Sequence, residues 1–176
     1  MSLDMRWLVP VAICVAAPQC LAAKYMTIEQ AQAAIFPLAD EFASYPLQLT
    51  PQQVQDIDKL SGVTGRTPQV WRALAKGKPT GWFFVDRVIG KHELITYALG
   101  INPDGSVQQV QVLEYLEAFG SQVRYPKWNG QFVGKTVKDP VNIESDIEHL
   151  LGATLSSRHM TDGIRRLLFL HQAVLR

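Results

Sequence analysis

The chain has 176 residues, of which 47% are hydrophobic and 19% are charged, so it can bury a core without a disulfide or a metal. Lys plus Arg number 17 against 16 for Asp plus Glu, and this near-neutral balance argues against a nucleic-acid-binding protein. The high apolar fraction and the small net charge also argue against disorder.

Residues 1–23 have the pattern of a secretory signal peptide. Arg6 precedes the uncharged apolar run Trp7–Ala17, and the small residues Ala22–Ala23 follow. The run is shorter than the roughly 20 apolar residues of a transmembrane helix. We therefore predict export by a cleaved signal peptide and a periplasmic location, with a retained membrane anchor as the alternative.

Both cysteines of the chain, Cys14 and Cys20, lie in this segment. A lipoprotein signal ending at Cys20 is a further alternative, although Pro18-Gln19 makes a poor lipobox. Cleavage near residue 23 would leave a mature protein without a thiol, so no disulfide or thiol chemistry is predicted for it.

Residues 24–66 are predicted to form an N-terminal helical segment. Thr27 and Gln30 have the spacing of a capping box at a helix start, and Pro37 should end or kink that helix. Thr50-Pro51 has the pattern of an N-cap followed by proline at the first helical position, and Gly62 should end the second helix. Residues 62–68 are the best candidate for a linker.

After residue 68 the apolar residues recur with the two-residue period of strands rather than the helical period. Short stretches rich in β-forming residues lie at 70–75, 82–89, 94–101 and 107–113. Asn102–Gly105 is a strong turn signal between the last two. We predict a three-strand antiparallel meander over residues 81–114, within a second domain that covers residues 67–176.

A loop rich in glycine and aromatic residues follows at 125–135, and a final helix is predicted from Ser156-Ser157 to about Val174. Trp128 and Phe132 in the loop could serve function or could simply cover the core. The predicted fold class is α+β, an antiparallel β-meander with flanking N-terminal helices and a C-terminal helix. The apolar face of the final helix consists of Met160, Ile164, Leu167, Leu168 and Val174.

Most sequence patterns of catalysis are missing. The chain has no G-x-G-x-x-G, no complete P-loop and no G-x-S-x-G. Its four histidines lack the spacing of metal ligands, so no metal site is predicted.

One segment, residues 148–157, has the residue types of a phosphate site. Gly152-Ala153 allows close backbone approach, and Thr154, Ser156 and Ser157 place three hydroxyls at a helix start. Free N–H groups and the positive end of the helix dipole favour a phosphate there. The alternative is a helix cap with redundant serines.

This segment resembles the flavinylation motif of the FMN-binding domain family, Asp-x-x-Ser/Thr-Gly-Ala-Thr followed by a hydroxyl-rich turn and a helix. Gly152 to Thr154 match, as do Leu155, Ser156 and Ser157 after them. Glu117-Ala118-Phe119-Gly120 is similar to the family's Glu-Thr-Pro-Gly turn, and residues 131–135 to its Gln-Phe-x-Gly-Lys segment. Glu148 stands in place of the motif's Asp, and Leu151 in place of its Ser or Thr.

The resemblance implies an FMN cofactor, which a flavin transferase moves from FAD onto the motif threonine. Thr154 would be that covalent attachment site, and Gly152, Ala153, Leu155, Ser156 and Ser157 would surround the phosphate. Glu117, Gly120 and Trp128 would line the flavin ring, and Lys135 would place a cation near it.

The resemblance implies an exported electron carrier that acts with a membrane or periplasmic redox partner. A carrier is favoured over an enzyme with its own substrate, because no substrate pocket is evident in the sequence. Two alternatives stay open at this point, an extracytoplasmic flavin-dependent reductase with a small-molecule acceptor and a cofactor-free binding or sensing module.

Overall fold

The computed structural model describes residues 23–117 and 120–175. The predicted signal peptide therefore lies outside the described residues, apart from Ala23, and so do Ala118 and Phe119. Within the described residues no helix is long and apolar enough to cross a membrane.

A single antiparallel sheet organises the fold, in the strand order β1-β6-β5-β4-β3-β2. Four strands form consecutive hairpins, and two shorter ones extend the sheet at its edges. The strands are β1 (Ala23–Lys24), β2 (Glu41–Ser44), β3 (Gln69–Ala75), β4 (Lys78–Ile89), β5 (Leu94–Ile101) and β6 (Val107–Tyr115).

Helices cover both faces of this sheet. The helices are α1 (Ile28–Ile35), α2 (Pro51–Ser61), the short α3 (Pro126–Asn129) and α4 (Thr154–Leu170). Two 3₁₀ turns, Ser121–Arg124 and Gly130–Phe132, flank α3, and a π-helical turn, His171–Leu175, continues α4. The α+β class and the antiparallel meander are thus confirmed, with α1 and α2 in the predicted N-terminal helical segment and α4 as the C-terminal helix, whereas α3 lies in a stretch predicted to be a loop.

Strand alternation separates two apolar cores. Phe83 and Val85 face α1, where they pack with Ile35 and Phe36. Their neighbour Phe84 faces the larger core under α2 and α4. The buried face of α4 in that core consists of Met160, Ile164, Leu167, Leu168 and Leu170.

The predicted helix boundaries follow from local chemistry. Thr27 and Thr50 both form complete capping boxes, with Gln30 and Gln53 as the reciprocal partners. Gly62 ends α2 with φ +69°, a conformation that glycine adopts without strain.

Three features differ from the sequence prediction. Strands β1 and β2 lie inside the segment that was predicted to be helical. Strand β4 begins at Lys78, because Lys76 and Gly77 both have positive φ and close a tight hairpin with β3. Helix α4 starts at Thr154, two residues earlier than predicted. The proposed division of the chain at residues 66 and 67 stays a prediction.

Candidate functional site

The start of α4 presents unpaired backbone donors. Ala153 is the N-cap, and no side chain bonds the N–H groups of the first turn. An α-helix leaves its first N–H groups without partners inside the helix, so those of the first turn at Thr154 are available to an anion. Thr154 is itself exposed, and Gly152 before it has φ +80°.

Gly120 packs directly against this helix start. Its φ is +85°, and a Cβ built on it would stand 3.2 Å from the Ala153 Cβ and 2.7 Å from the Tyr115 hydroxyl oxygen. Only glycine fits both the conformation and the space. The structure therefore brings Gly120 and Ala153 together.

The two serines of the motif point in different directions. Ser157 is fully buried and donates its hydroxyl to the Thr154 carbonyl oxygen at 3.1 Å. The Ser156 hydroxyl lies 3.2 Å from the hydroxyl of Tyr115. Burial raises the pKa of Tyr115 above its ordinary value. Ser156 thus lines the site, whereas Ser157 secures the first turn of the helix.

Glu117 holds the turn between β4 and β5 beside the helix start. Its carboxylate accepts hydrogen bonds from the backbone N–H groups of His92 and Glu93. Burial acts to raise the pKa of Glu117, but these backbone donors outweigh burial, and the pKa lies below its ordinary value. Gly90 allows this contact, because a Cβ there would lie 2.7 Å from the carboxylate oxygen.

These elements enclose a cleft of about 340 Å³, the Thr154 cleft. The exposed side chains of Leu151 and Leu155 lie next to Thr154 in the chain. The cleft is lined by Lys91, His92, Glu117, Gly152, Ala153, Thr154, Leu155 and Ser156.

A sequence model of the FMN-binding domain family matches residues 90–168. These residues form an FMN-binding domain. All residues that line the Thr154 cleft lie within it. No curated protein matches the chain. Among solved structures the chain is similar to the crystal structure of Shewanella oneidensis NqrC, with 16% sequence identity, a TM-score of 0.49, and coverage of 80% of this chain and 73% of that chain.

The residues of the Thr154 cleft fit the phosphate of FMN, the cofactor of this domain. The unpaired N–H groups of α4 and the Ser156 hydroxyl are donors, and Lys91 and His92 are the basic side chains in the lining. No motif in the sequence places Lys91 and His92 at the site. They lie in the β4–β5 turn, and only the fold brings that turn to the start of α4.

Trp128 lies elsewhere in the FMN-binding domain. It is 2% exposed, packs edge-on against Phe132 with ring centres 5.1 Å apart, and donates its indole N–H to the Glu148 carbonyl oxygen. It is absent from the lining of the Thr154 cleft. This placement favours the alternative role, in which Trp128 and Phe132 cover the core.

Lys135 is also placed outside the Thr154 cleft. Its ammonium group forms an ion pair with Asp146 at 2.8 Å, and both side chains are 19% exposed. Asp146 accepts further bonds from the backbone of Val141 and Asn142. Lys135 thus fixes the loop that leads to α4. Its ammonium group does not line the Thr154 cleft.

The Gln131 side chain has a related supporting role. Its carbonyl oxygen accepts the Glu148 backbone N–H at 2.7 Å, so Gln131 and Trp128 hold the two backbone groups of Glu148. The Glu148 side chain is exposed. The segments around residues 131 and 152 that resemble the family are therefore connected in space, because the first positions the backbone that leads into the second.

Within the described residues no cluster of three or more His, Cys, Asp or Glu side chains could hold a metal ion.

Proposed function

We propose that this protein is an exported flavoprotein that carries FMN on a threonine phosphoester at Thr154 and passes electrons between redox partners. The observation that carries the proposal is the position of Thr154, an exposed hydroxyl residue at the uncapped start of α4, at a cleft of the FMN-binding domain.

The attachment step balances as a phosphoryl transfer from FAD. The Thr154 hydroxyl oxygen bonds to the phosphorus of the FMN half, the pyrophosphate P–O bond of FAD breaks, AMP leaves, and the hydroxyl proton passes to water. A flavin transferase would catalyse this step. The exposure of Thr154 supports it, because a transferase must reach the side chain.

The chain's own residues would hold and orient the product. The first-turn N–H groups of α4 and the Ser156 hydroxyl would bind the phosphate oxygens, and Lys91 would balance their charge. Bound FMN supplies the capacity to accept and release one or two electrons. The partner would be a membrane or periplasmic redox protein, and a tether would prevent loss of the cofactor after export.

Coexpression with a flavin transferase tests the attachment. We expect wild-type protein to fluoresce on a denaturing gel and to gain the mass of one FMN less one water. Thr154→Ala should show neither, while Thr67→Ala, a change at another exposed threonine, should behave as wild type. Unlabelled wild type, or labelled Thr154→Ala, would refute attachment at Thr154.

Export and electron transfer need separate measurements. N-terminal sequencing of protein from the periplasmic fraction should begin near residue 24. Loaded protein, once reduced with dithionite, should recover its flavin absorbance on addition of an oxidised redox protein from the same compartment. Full-length protein confined to the cytoplasm would contradict export.

A further inference from the structure

A groove of about 340 Å³ runs beside β6 and shares no lining residue with the Thr154 cleft. We call it the β6 groove. One wall is β6 itself, and the other is the segment after β6 that contains α3. Its lining includes residues 108–111 of β6, together with Arg124, Asn129, Gly130 and Val133 of the following segment.

The β6 groove lies along the edge of the sheet rather than on one of its faces. Four consecutive residues, 108–111, line it, whereas side chains along a strand alternate between the two faces. Val110 is decisive, because its side chain is 1% exposed and packs in the larger core, and yet the residue lines the groove. The part of Val110 that faces the groove is therefore its backbone.

The edge of β6 is closed at two points by other parts of the chain. Near the start of the strand, Val107 donates its N–H to the Lys135 carbonyl oxygen at 2.8 Å and accepts the Gly134 N–H at 2.9 Å. Near its end, the Leu113 carbonyl oxygen accepts the Tyr25 N–H at 2.9 Å. The backbone groups at these two points are therefore already used.

The stretch between these two points, residues 108–112, has an open edge. Strand β1 pairs with β6 only at Glu114 and Tyr115. Within the described residues, the backbone of residues 108–112 bonds no segment other than β5. Five residues of strand span about 16 Å, so the gap accepts an extended segment of similar length. Open edges of this kind bind extended peptides through main-chain hydrogen bonds.

The wall opposite β6 holds a buried polar atom without a partner. Asn129 is 5% exposed, and its side-chain carbonyl oxygen accepts no hydrogen bond from any residue that the structure describes. A buried acceptor in this condition is unfavourable until a donor reaches it. Because Asn129 lines the β6 groove, an N–H group of a ligand in the groove would supply that donor.

An arginine side chain stands at one end of the β6 groove. The exposed Arg124 guanidinium lies over the rings of Tyr25 and Tyr125, at 4.6 and 5.5 Å from their centres. It forms no ion pair in the described part of the chain. Since the Tyr25 backbone bonds Leu113, this cation lies at the end of the open edge near residue 112. A guanidinium placed in this way is suited to pair with a carboxylate.

We propose that the β6 groove binds the carboxyl-terminal segment of a partner protein as an added strand, with its terminal carboxylate on Arg124. A chain end is favoured over the middle of a chain, because residues 134–135 and 25–26 occupy the edge beyond the two ends of the gap. A segment that ran through the gap would meet both of them, whereas a chain end leaves on one side only. With its carboxylate at Arg124, the added strand runs parallel to β6.

A partner bound in the β6 groove would leave the Thr154 cleft unoccupied. Tyr115, whose hydroxyl lies 3.2 Å from that of Ser156 in the Thr154 cleft, comes four residues after Gln111 along β6. Four residues of strand span about 13 Å. The partner would thus be held near Thr154 through a separate site. The proposal does not depend on attachment of FMN, so the two can fail independently.

A synthetic library of all tetrapeptide sequences, tethered at the amino end and free at the carboxyl end, tests the site on the whole purified protein. We expect the selected peptides to bind about ten-fold more tightly than their carboxyl-terminal amides, because the amides lose the pairing with the guanidinium. Fluorescence polarisation measures both forms. Arg124→Gln should abolish the difference between acid and amide, whereas Arg158→Gln, at an exposed arginine of α4, should preserve it.

Gly130→Trp tests the groove itself. Gly130 has φ −62°, and a Cβ there would meet no heavy atom within 4 Å, so the variant should fold with the added ring in the groove. Lys127→Trp, at an exposed residue of α3 that does not line the groove, is the matched control. Peptide binding should be lost in the first variant and kept in the second. Equal binding by the two folded variants, or no peptide selected by wild type, overturns the proposal.

Amide hydrogen exchange tests whether the peptide adds as a strand. The bound peptide should slow exchange several-fold at open-edge amides within residues 108–112, while amides of β2, at the opposite edge of the sheet, keep their rates. Binding without slower exchange at residues 108–112 would refute strand addition. Equal affinity of acids and amides for wild type would refute the chain end and indicate an internal segment instead.

Discussion

The backbone of Gly120 lies against Ala153, close enough that an added methyl group would stand 3.2 Å from the alanine Cβ. This contact joins the turn after β6 to the residue that caps α4. The turn after β6 and the start of α4 are thereby held together, although 33 residues separate Gly120 and Ala153 in sequence.

We expect Gly120→Ala to destabilise the fold by about 1–3 kcal/mol through backbone strain and overpacking. Urea denaturation measures the loss. Gly62→Ala is the matched control, because Gly62 also has positive φ but has no heavy atom within 4 Å of the added Cβ. It should cost only the conformational part, about 1 kcal/mol. Equal losses in the two variants would show that the contact with Ala153 contributes nothing.

Arg166→Ala should destabilise the protein by about 3–5 kcal/mol, because it leaves the Asp58 carboxylate without the partner of a buried pair. Arg158→Ala removes an exposed pair with Glu144 at 3.6 Å and should cost less than about 1 kcal/mol. Chemical denaturation of both variants gives the comparison. A loss at Arg166 as small as that at Arg158 would contradict the structural role assigned to the buried pair.

Glu117→Gln should lower stability at neutral pH and have less effect in acid. The folded pKa of Glu117 is depressed, so its ionised form contributes stability above the unfolded value near 4.5, and this contribution is lost as pH falls through the folded pKa. Unfolding curves at pH 7 and at about pH 3 should therefore show a gap between wild type and variant that narrows in acid. A gap independent of pH would exclude the carboxylate as its cause.

Trp128→Phe should leave the flavin fluorescence of loaded protein unchanged, because the indole lies in the core and does not line the Thr154 cleft. The variant loses the hydrogen bond to Glu148 and should cost about 1 kcal/mol. Tryptophan in contact with a flavin quenches its emission, so a strong rise in fluorescence would show that Trp128 lines the flavin ring, as the family resemblance implies.

Lys91→Gln should slow the attachment of FMN by the transferase, because one of the basic side chains in the Thr154 cleft is lost. Lys127→Gln, at an exposed lysine of α3, is the control. The time course of in-gel fluorescence during labelling measures the effect, which should shrink at high salt. Identical time courses for the two variants would show that the Lys91 side chain does not contribute to the attachment of FMN.

Features that depend on neighbouring residues could be predicted from sequence. The capping boxes at Thr27 and Thr50 need only the side chain three residues on, and the meander needs only alternation and turn residues. The motif from Gly152 to Thr154 is equally local. Its start at an uncapped helix follows from the missing side-chain acceptor at Ala153.

Features that depend on the packing of distant segments could not be predicted. Strand β2 has only four residues and gains its stability from pairing with β3. The loop of residues 125–135 has the same composition whether its aromatic rings face the core or a ligand, and burial of Trp128 decides between them. The approach of Arg166 to Asp58 and Arg66 spans about 100 positions, which no local pattern encodes.

Strand β4 has a practical consequence for electrochemistry. It runs from the hairpin at Lys76 and Gly77 to the turn beside the Thr154 cleft, and its 12 residues span about 35–40 Å. Residues 23–175 contain no cysteine, so Lys78→Cys would introduce a unique thiol there. A molecule anchored to gold through that thiol would stand with its flavin end toward the solution, too far from the metal for direct tunnelling, and any current would then report delivery of electrons by a soluble partner.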